Sequence, residues 1–147
     1  MKKPSRKPKS AALKVAIIPS FTLAGIEKQV KADCRQAGIP VQVYLGTYGQ
    51  HMQEILNPRS GLYRFHPDAI FVFIDTETLL GADVPALQNQ TETERAAFAD
   101  QKEKECTALI ETLSRGTDAK IILHNFAVPT YSPLGILENK QRLGVIE

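Results

Sequence analysis

The chain has 147 residues, 43% of them hydrophobic and 23% charged, with a formal net charge of +2. That composition is ordinary for one globular domain, and the length allows roughly two-thirds of the unfolded surface to be buried without staples. The net charge hides an asymmetry. Lys2, Lys3, Arg6, Lys7 and Lys9 all fall within the first ten residues; all 16 acidic residues come later, against 13 of the 18 basic ones, so the body carries −3.

Residues 1–12 combine those charges with Pro4, Pro8, Ser5 and Ser10 and have little apolar surface to bury, so they are expected to form a disordered basic tail. The domain proper is expected over 13–147. No basic patch is visible outside the tail, which argues against nucleic-acid recognition. The longest apolar runs, Val15 to Ile18 and Ala69 to Ile74, are too short to cross a bilayer. No apolar segment follows Met1-Lys2-Lys3 as a signal peptide requires, so the expected location is the cytoplasm. Cys34 and Cys106 lie far apart, each in a stretch that reads as helix, and are expected to be buried free thiols.

In chain order, Leu13 to Pro19 is a short apolar run that reads as a buried strand. The polar turn Ser20-Phe21-Thr22 follows. Leu23, Ile26, Val30, Cys34 and Ala37 then recur at helical steps, with Thr22 as N-cap, Gly38 as a left-handed C-cap and Pro40 beyond it. Val41, Val43 and Leu45 alternate with polar positions and predict a second strand over Pro40 to Leu45. Gln50 to Leu56 has short helical character, broken by Asn57-Pro58-Arg59-Ser60-Gly61. Ala69 to Ile74 is apolar at every position, as a central parallel strand should be, and Asp75 ends it. Thr76 to Asn89 reads as a connection without period. Gln90 to Arg115 reads as a helix that buries Phe98, Cys106, Leu109, Ile110 and Leu113 and stops at Gly116. Lys120 to Leu123 is a fourth strand, Ala127 to Pro133 a loop, and Leu134 to Glu147 partly helical. Strands alternating with helices predict an α/β fold: an open, three-layer, flavodoxin-like parallel sheet of order 2-1-3-4.

In such sheets ligands bind at the carboxyl ends of the strands. That rule selects Ser20 and Thr22, then Gly46, Tyr48 and Gly49, then Asp75, then His124 and Asn125 as candidate ligand-binding residues. Ser20 reads either as a nucleophile, which would need a base and amide donors for an oxyanion, or as a cap of the following helix. Asp75 reads as a base-orienting or metal-binding group, or as a cap. His124 alternates with Ile122 and reads as a half-buried residue or a base; His51 and His66 read as loop residues. No CxxC, no HxxxH and no phosphate-cradling glycine loop occurs, so neither a metal nor a cofactor is expected.

Several segments resemble one family. They are Ala16-Ile17-Ile18-Pro19-Ser20-Phe21-Thr22-Leu23, Val43-Tyr44-Leu45-Gly46-Thr47-Tyr48-Gly49-Gln50, Gln53-Glu54-Ile55-Leu56-Asn57-Pro58, Ser60-Gly61-Leu62-Tyr63 and Pro67-Asp68, with Asn125-Phe126 and Pro129 later. Together they resemble the N-terminal region of FkbH-like proteins. The resemblance implies an SGNH-hydrolase-like domain joined in cis to a HAD-type (subfamily IIIC) domain. Such proteins load a glyceryl unit onto an acyl carrier protein, as in polyketide biosynthesis. It also places Ser20 where an SGNH nucleophile stands, Gly46 or Gly49 where the oxyanion glycine stands, and Asp75-Thr76 where the oxyanion asparagine stands.

Two readings follow. In the first, the domain is accessory and binds the carrier protein, or its phosphopantetheine-linked acyl or glyceryl cargo, for the HAD-type partner. The missing parts favour it: Pro19 precedes Ser20 in place of a Gly-Asp-Ser context, a carboxylate replaces an oxyanion donor, and no Asp-x-x-His follows. In the second, the domain is a serine esterase or acyltransferase with Ser20 as nucleophile and its base from His124 or another segment.

Overall fold

The computed structural model describes residues 12–81 and 89–126. The expected tail, the loop over Ala127 to Pro133 and the helical character after Leu134 lie outside the described residues. Within them the chain runs β1 (Leu13–Pro19), α1 (Ile26–Gln36), β2 (Val41–Leu45), α2 (His51–Leu56), α3 (Gly61–Phe65), β3 (Ala69–Phe73), α4 (Thr76–Leu80), α5 (Glu92–Gly116) and β4 (Lys120–Leu123).

The apolar runs pair side by side. β1 lies between β2 and β3, and β4 pairs with β3, all parallel, in the order β2-β1-β3-β4. Ala16 stands beside both Tyr44 and Ile70, and Phe71 beside Ile122. Side chains alternate across the sheet. Ala16 and Ile18 of β1 therefore share a face with Ile70 and Val72 of β3, and with Ile74 just beyond it. They pack there against Ile55 of α2, Leu62 of α3, and Leu109 and Leu113 of α5. α1 adds nothing to that cluster. It packs along β2, and a right-handed crossover places it on the opposite face, where Val15 and Ile17 are buried. The α/β fold and strand order expected from the sequence are both present.

Helix ends needed more than pattern. α1 begins at Ile26, not after Thr22, because the backbone amide of Ser20 donates to Phe73 O at 2.8 Å and keeps the chain against β3. The chain turns only at Gly25, the N-cap, whose φ of 85° is in the left-handed region open to glycine. Thr22 is exposed, and neither it nor Ser20 caps α1. The C-terminal cap is as expected: Gly38 has φ 72°, Ile39 N donates to Cys34 O at 2.8 Å, and Gly38 N donates to Arg35 O at 3.0 Å. α5 starts with a capping box, in which Thr91 Oγ1 accepts from Glu94 N and the Glu94 carboxylate accepts from Thr91 N. Cys34 and Cys106 are free, as expected, but half-buried rather than buried.

α3 and α4 lie where no periodicity was visible. Each has five residues, too few for an amphipathic period to emerge. α3 is held by side chains from its neighbours. The Glu54 carboxylate accepts from Tyr44 OH at 2.7 Å and from Leu62 N at 3.2 Å. Ser60 Oγ donates to Glu54 O at 2.7 Å, and Tyr63 OH donates to Ile55 O at 2.6 Å. Burial, then the hydrogen bond to Glu54, pushes the Tyr44 phenol up to about 12. Gly61 is required at its place: a Cβ there would lie 2.3 Å from Tyr44 Oη.

Candidate functional site

The carboxyl ends of the strands bring four chain segments together. Ser20 follows β1 and is buried. The ladder bond from its amide to Phe73 O holds it between β1 and β3, which points its side chain at the start of the next segment. Ser20 Oγ donates to Asp75 Oδ2 and accepts from Asp75 N at 2.9 Å. The two residues therefore close a reciprocal pair across 55 positions of sequence.

Asp75 is also the N-cap of α4. Its Oδ1 accepts from Thr78 N at 2.8 Å and its Oδ2 from Thr78 Oγ1 at 2.7 Å. Burial pushes this carboxyl upward, but the hydrogen bonds from Ser20, Thr78 and its own amide outweigh burial and hold it below the usual carboxylate range. Of the two readings of Asp75, the cap is present, and the same carboxylate binds Ser20.

His51 opens α2, directly after the loop that follows β2. Burial lowers its imidazole from the ordinary value, and the nearby negative charge of Asp75 pulls the other way. Its Nδ1 is enclosed and has no hydrogen-bond partner among the described residues. His51 is thus a helical residue at the strand ends and not the loop residue expected from the sequence. Its signal was positional: it follows the Gly46 to Gly49 loop at the same edge of the sheet as the other strand ends.

His124 lies on the far side of β3. Its backbone amide donates to Val72 O at 3.3 Å, and its ring meets Phe73 edge-on, centroids 4.7 Å apart. Its Nδ1 is likewise enclosed and without a partner among the described residues. The Ser20 hydroxyl is bonded to Asp75, not to His124. Gly46 is buried, and its amide donates to Ile17 O at 2.8 Å, so the sheet uses the donor that an oxyanion would need. Gly49 sits in a left-handed turn at φ 68°; Tyr48, Thr22 and Asn125 are exposed around the same edge.

Residues 14–143 match the family model described as FkbH, N-terminal domain. The chain belongs to this family. The resemblance carried by the Tyr48-Gly49-Gln50 and Ser60-Gly61-Leu62-Tyr63 segments is met at that level. Among solved structures, the FkbH N-terminal domain is similar to the N-terminal part of a Bacteroides fragilis protein that contains a phosphatase domain and was crystallised with Mg. The TM-score is 0.61 and the identity 21%, over 78% of this chain and 28% of that one. At that identity the likeness is one of fold. A comparison with curated proteins returns no match.

A groove of about 500 Å³ runs from this edge down one side of the domain. α2 lines it with His51, Met52 and Leu56, Ile74 just past β3 and Leu79 of α4 add to it, and α5 closes it with Leu109. Thr78, bonded to Asp75, also borders it, so the polar pair and the groove adjoin. Among the described residues no group of three or more His, Cys, Asp or Glu could hold a metal ion, and no helix is long and apolar enough to cross a membrane.

Proposed function

We propose that this is the accessory, SGNH-like domain of an FkbH-like protein, and that its strand-end cleft receives a carrier protein's phosphopantetheine-linked acyl or glyceryl cargo for a HAD-type domain in the same protein. The observation that carries this reading is the Ser20–Asp75 pair. A serine nucleophile needs a base that will take its proton and donors that will receive the oxyanion. Here the Ser20 proton points at a carboxylate held below its usual range, which is a poor proton acceptor. The Asp75 amide occupies a lone pair on Oγ, and the adjacent negative charge would repel an oxyanion. Already bonded to each other and to Thr78, Ser20 and Asp75 are better suited to form a fixed polar wall beside a bound arm than to attack it. The SGNH-like description draws support from the parallel 2-1-3-4 sheet with a serine directly after β1. A phosphatase-type partner draws support from the Bacteroides fragilis chain, which contains such a domain and of which this chain spans 28%.

The test has two arms. Holo acyl carrier protein titrated into isotope-labelled domain should shift the amides of Ser20, Tyr48, Asp75 and Asn125. No shift at high carrier concentration would sink the reading. Incubation with a serine-reactive fluorophosphonate and with p-nitrophenyl esters should give neither label nor turnover. Labelling abolished by Ser20→Ala would establish the esterase or acyltransferase alternative instead.

A further inference from the structure

We propose that the groove between α2, α4 and α5 seats the apolar portion of a neutral acyl chain, held as a thioester, with a polar group of that chain meeting His51. The inference rests on the reading of the strand-end cleft as a cargo site, and names the cargo.

Three observations carry it. α2 should be amphipathic, with Ile55 turned to the core; Met52 and Leu56, one helical turn apart, are instead 45% and 56% exposed. Both line the groove, joined by Ile74, Leu79 and Leu109 from the other walls. A concave apolar surface of this volume with a few polar groups at one end is the usual form of a small-ligand site. The second observation is the imidazole. His51 lines the same groove, and its enclosed Nδ1 has no partner among the described residues. A buried polar atom without a bond is destabilising, and a ligand's carbonyl or hydroxyl would satisfy it.

The third is charge. The charged residue among those lining the groove is Glu105, and the Asp75 carboxylate stands near His51 at the cleft end. No lysine or arginine lines the groove among the described residues. Glu105 is already paired with Lys102 Nζ at 3.0 Å, so a free carboxylate or a phosphate would meet the Asp75 charge at the cleft end and, along the groove, a cation already taken. A thioester, with no charge at its acyl end, meets none of that repulsion. The occupant is therefore an acyl chain in esterified form, and not a free fatty acid or a phosphorylated three-carbon acid.

The experiment uses the purified chain with three probes: octanoyl-pantetheine, pantetheine and octanoate. Octanoyl-pantetheine should shift the Met52 and Leu56 methyl signals and the Ala108 amide, and bind at least about tenfold more tightly than either other probe, a difference of about 1.4 kcal/mol. Ala108→Trp, at an exposed α5 position on the groove wall, should remove that gain and leave pantetheine binding unchanged. Met52→Lys at the rim is the second variant should the tryptophan disturb folding; it should weaken octanoyl-pantetheine and strengthen octanoate. Equal binding of octanoate and octanoyl-pantetheine overturns the proposal, as does an absence of shifts at Met52, Leu56 and Ala108. If holo carrier protein binds but octanoylation adds nothing, the acyl groove fails while the cleft reading stands. If the carrier fails to bind and octanoyl-pantetheine still binds in the groove, the carrier reading fails alone.

Discussion

α2 contributes to two polar assemblies built in different ways. Around Glu54 every named group has its partner: Tyr44 OH and Leu62 N reach the carboxylate, Ser60 Oγ reaches the Glu54 carbonyl and Tyr63 OH the Ile55 carbonyl. Around the strand ends the Ser20–Asp75 pair is closed, but the enclosed Nδ1 atoms of His51 and His124 have no partner among the described residues. A satisfied buried network contributes stability and fixes a local conformation; an unsatisfied group costs stability unless something binds it. The contrast separates scaffold from site. Much of what makes the chain resemble its family, from Glu54 through Ser60 and Tyr63, belongs to the scaffold.

The contrast breaks most easily at Glu54. Glu54→Ala strands Tyr44 OH and Leu62 N together and should cost about 2–4 kcal/mol in urea unfolding, with carrier binding unchanged for the folded fraction. A loss below about 1 kcal/mol would mean that the network is not structural. Next in size is Asp75→Ala, which removes the α4 cap and the Ser20 acceptor. It should cost about 1–2 kcal/mol and, unlike Glu54→Ala, also weaken carrier binding.

The two assemblies should also part in their pH dependence. The Tyr44 phenol is raised from 10.0 to about 12 in the folded chain, so its contribution is complete below pH 10 and is lost as pH rises between those values. His51 and Asp75 are shifted the other way. The unfolded chain takes up protons that the folded one resists, so stability falls as pH drops below 6.5 for His51 and below 3.8 for Asp75. Chemical denaturation across pH should show an alkaline limb, to which Tyr63 and Cys106 also contribute, reduced by Tyr44→Phe, and a mildly acid limb removed by His51→Leu.

The smallest effect is the most telling. His51→Leu should leave stability at pH 7.5 within about 0.5 kcal/mol or raise it by up to about 1, because it removes an unpartnered buried nitrogen, yet it should weaken octanoyl-pantetheine binding. A clear loss of stability, with binding retained, would return His51 to the scaffold.

The strands were legible because each is a local property. The runs Leu13–Pro19 and Lys120–Leu123 have the observed bounds, Val41–Leu45 and Ala69–Phe73 are each one residue shorter than expected, and apolar strands joined by helices leave few topologies other than 2-1-3-4. The long helix α5 was legible for the same reason, since 25 residues give a period room to show, although it runs over Glu92–Gly116 and, of the five side chains expected inside, Leu109 and Leu113 are buried while Phe98, Cys106 and Ile110 are half-buried. The polar turn after β1 was found by rule, as a strand end. Its chemistry was not, because that rests on contacts across the sheet. The register that sets Pro19 beside Phe73 brings Ser20 onto Asp75 and delays α1 to Gly25, while the pairing of β1 with β2 takes the Gly46 amide into the sheet. His51 became a site residue only when packing enclosed its ring near the Asp75 carboxylate and left its Nδ1 without a partner among the described residues. Apolar pattern acts between neighbours in sequence and is written there; the pairing of polar groups depends on which distant residues the packed sheet makes adjacent, and so was settled by the fold.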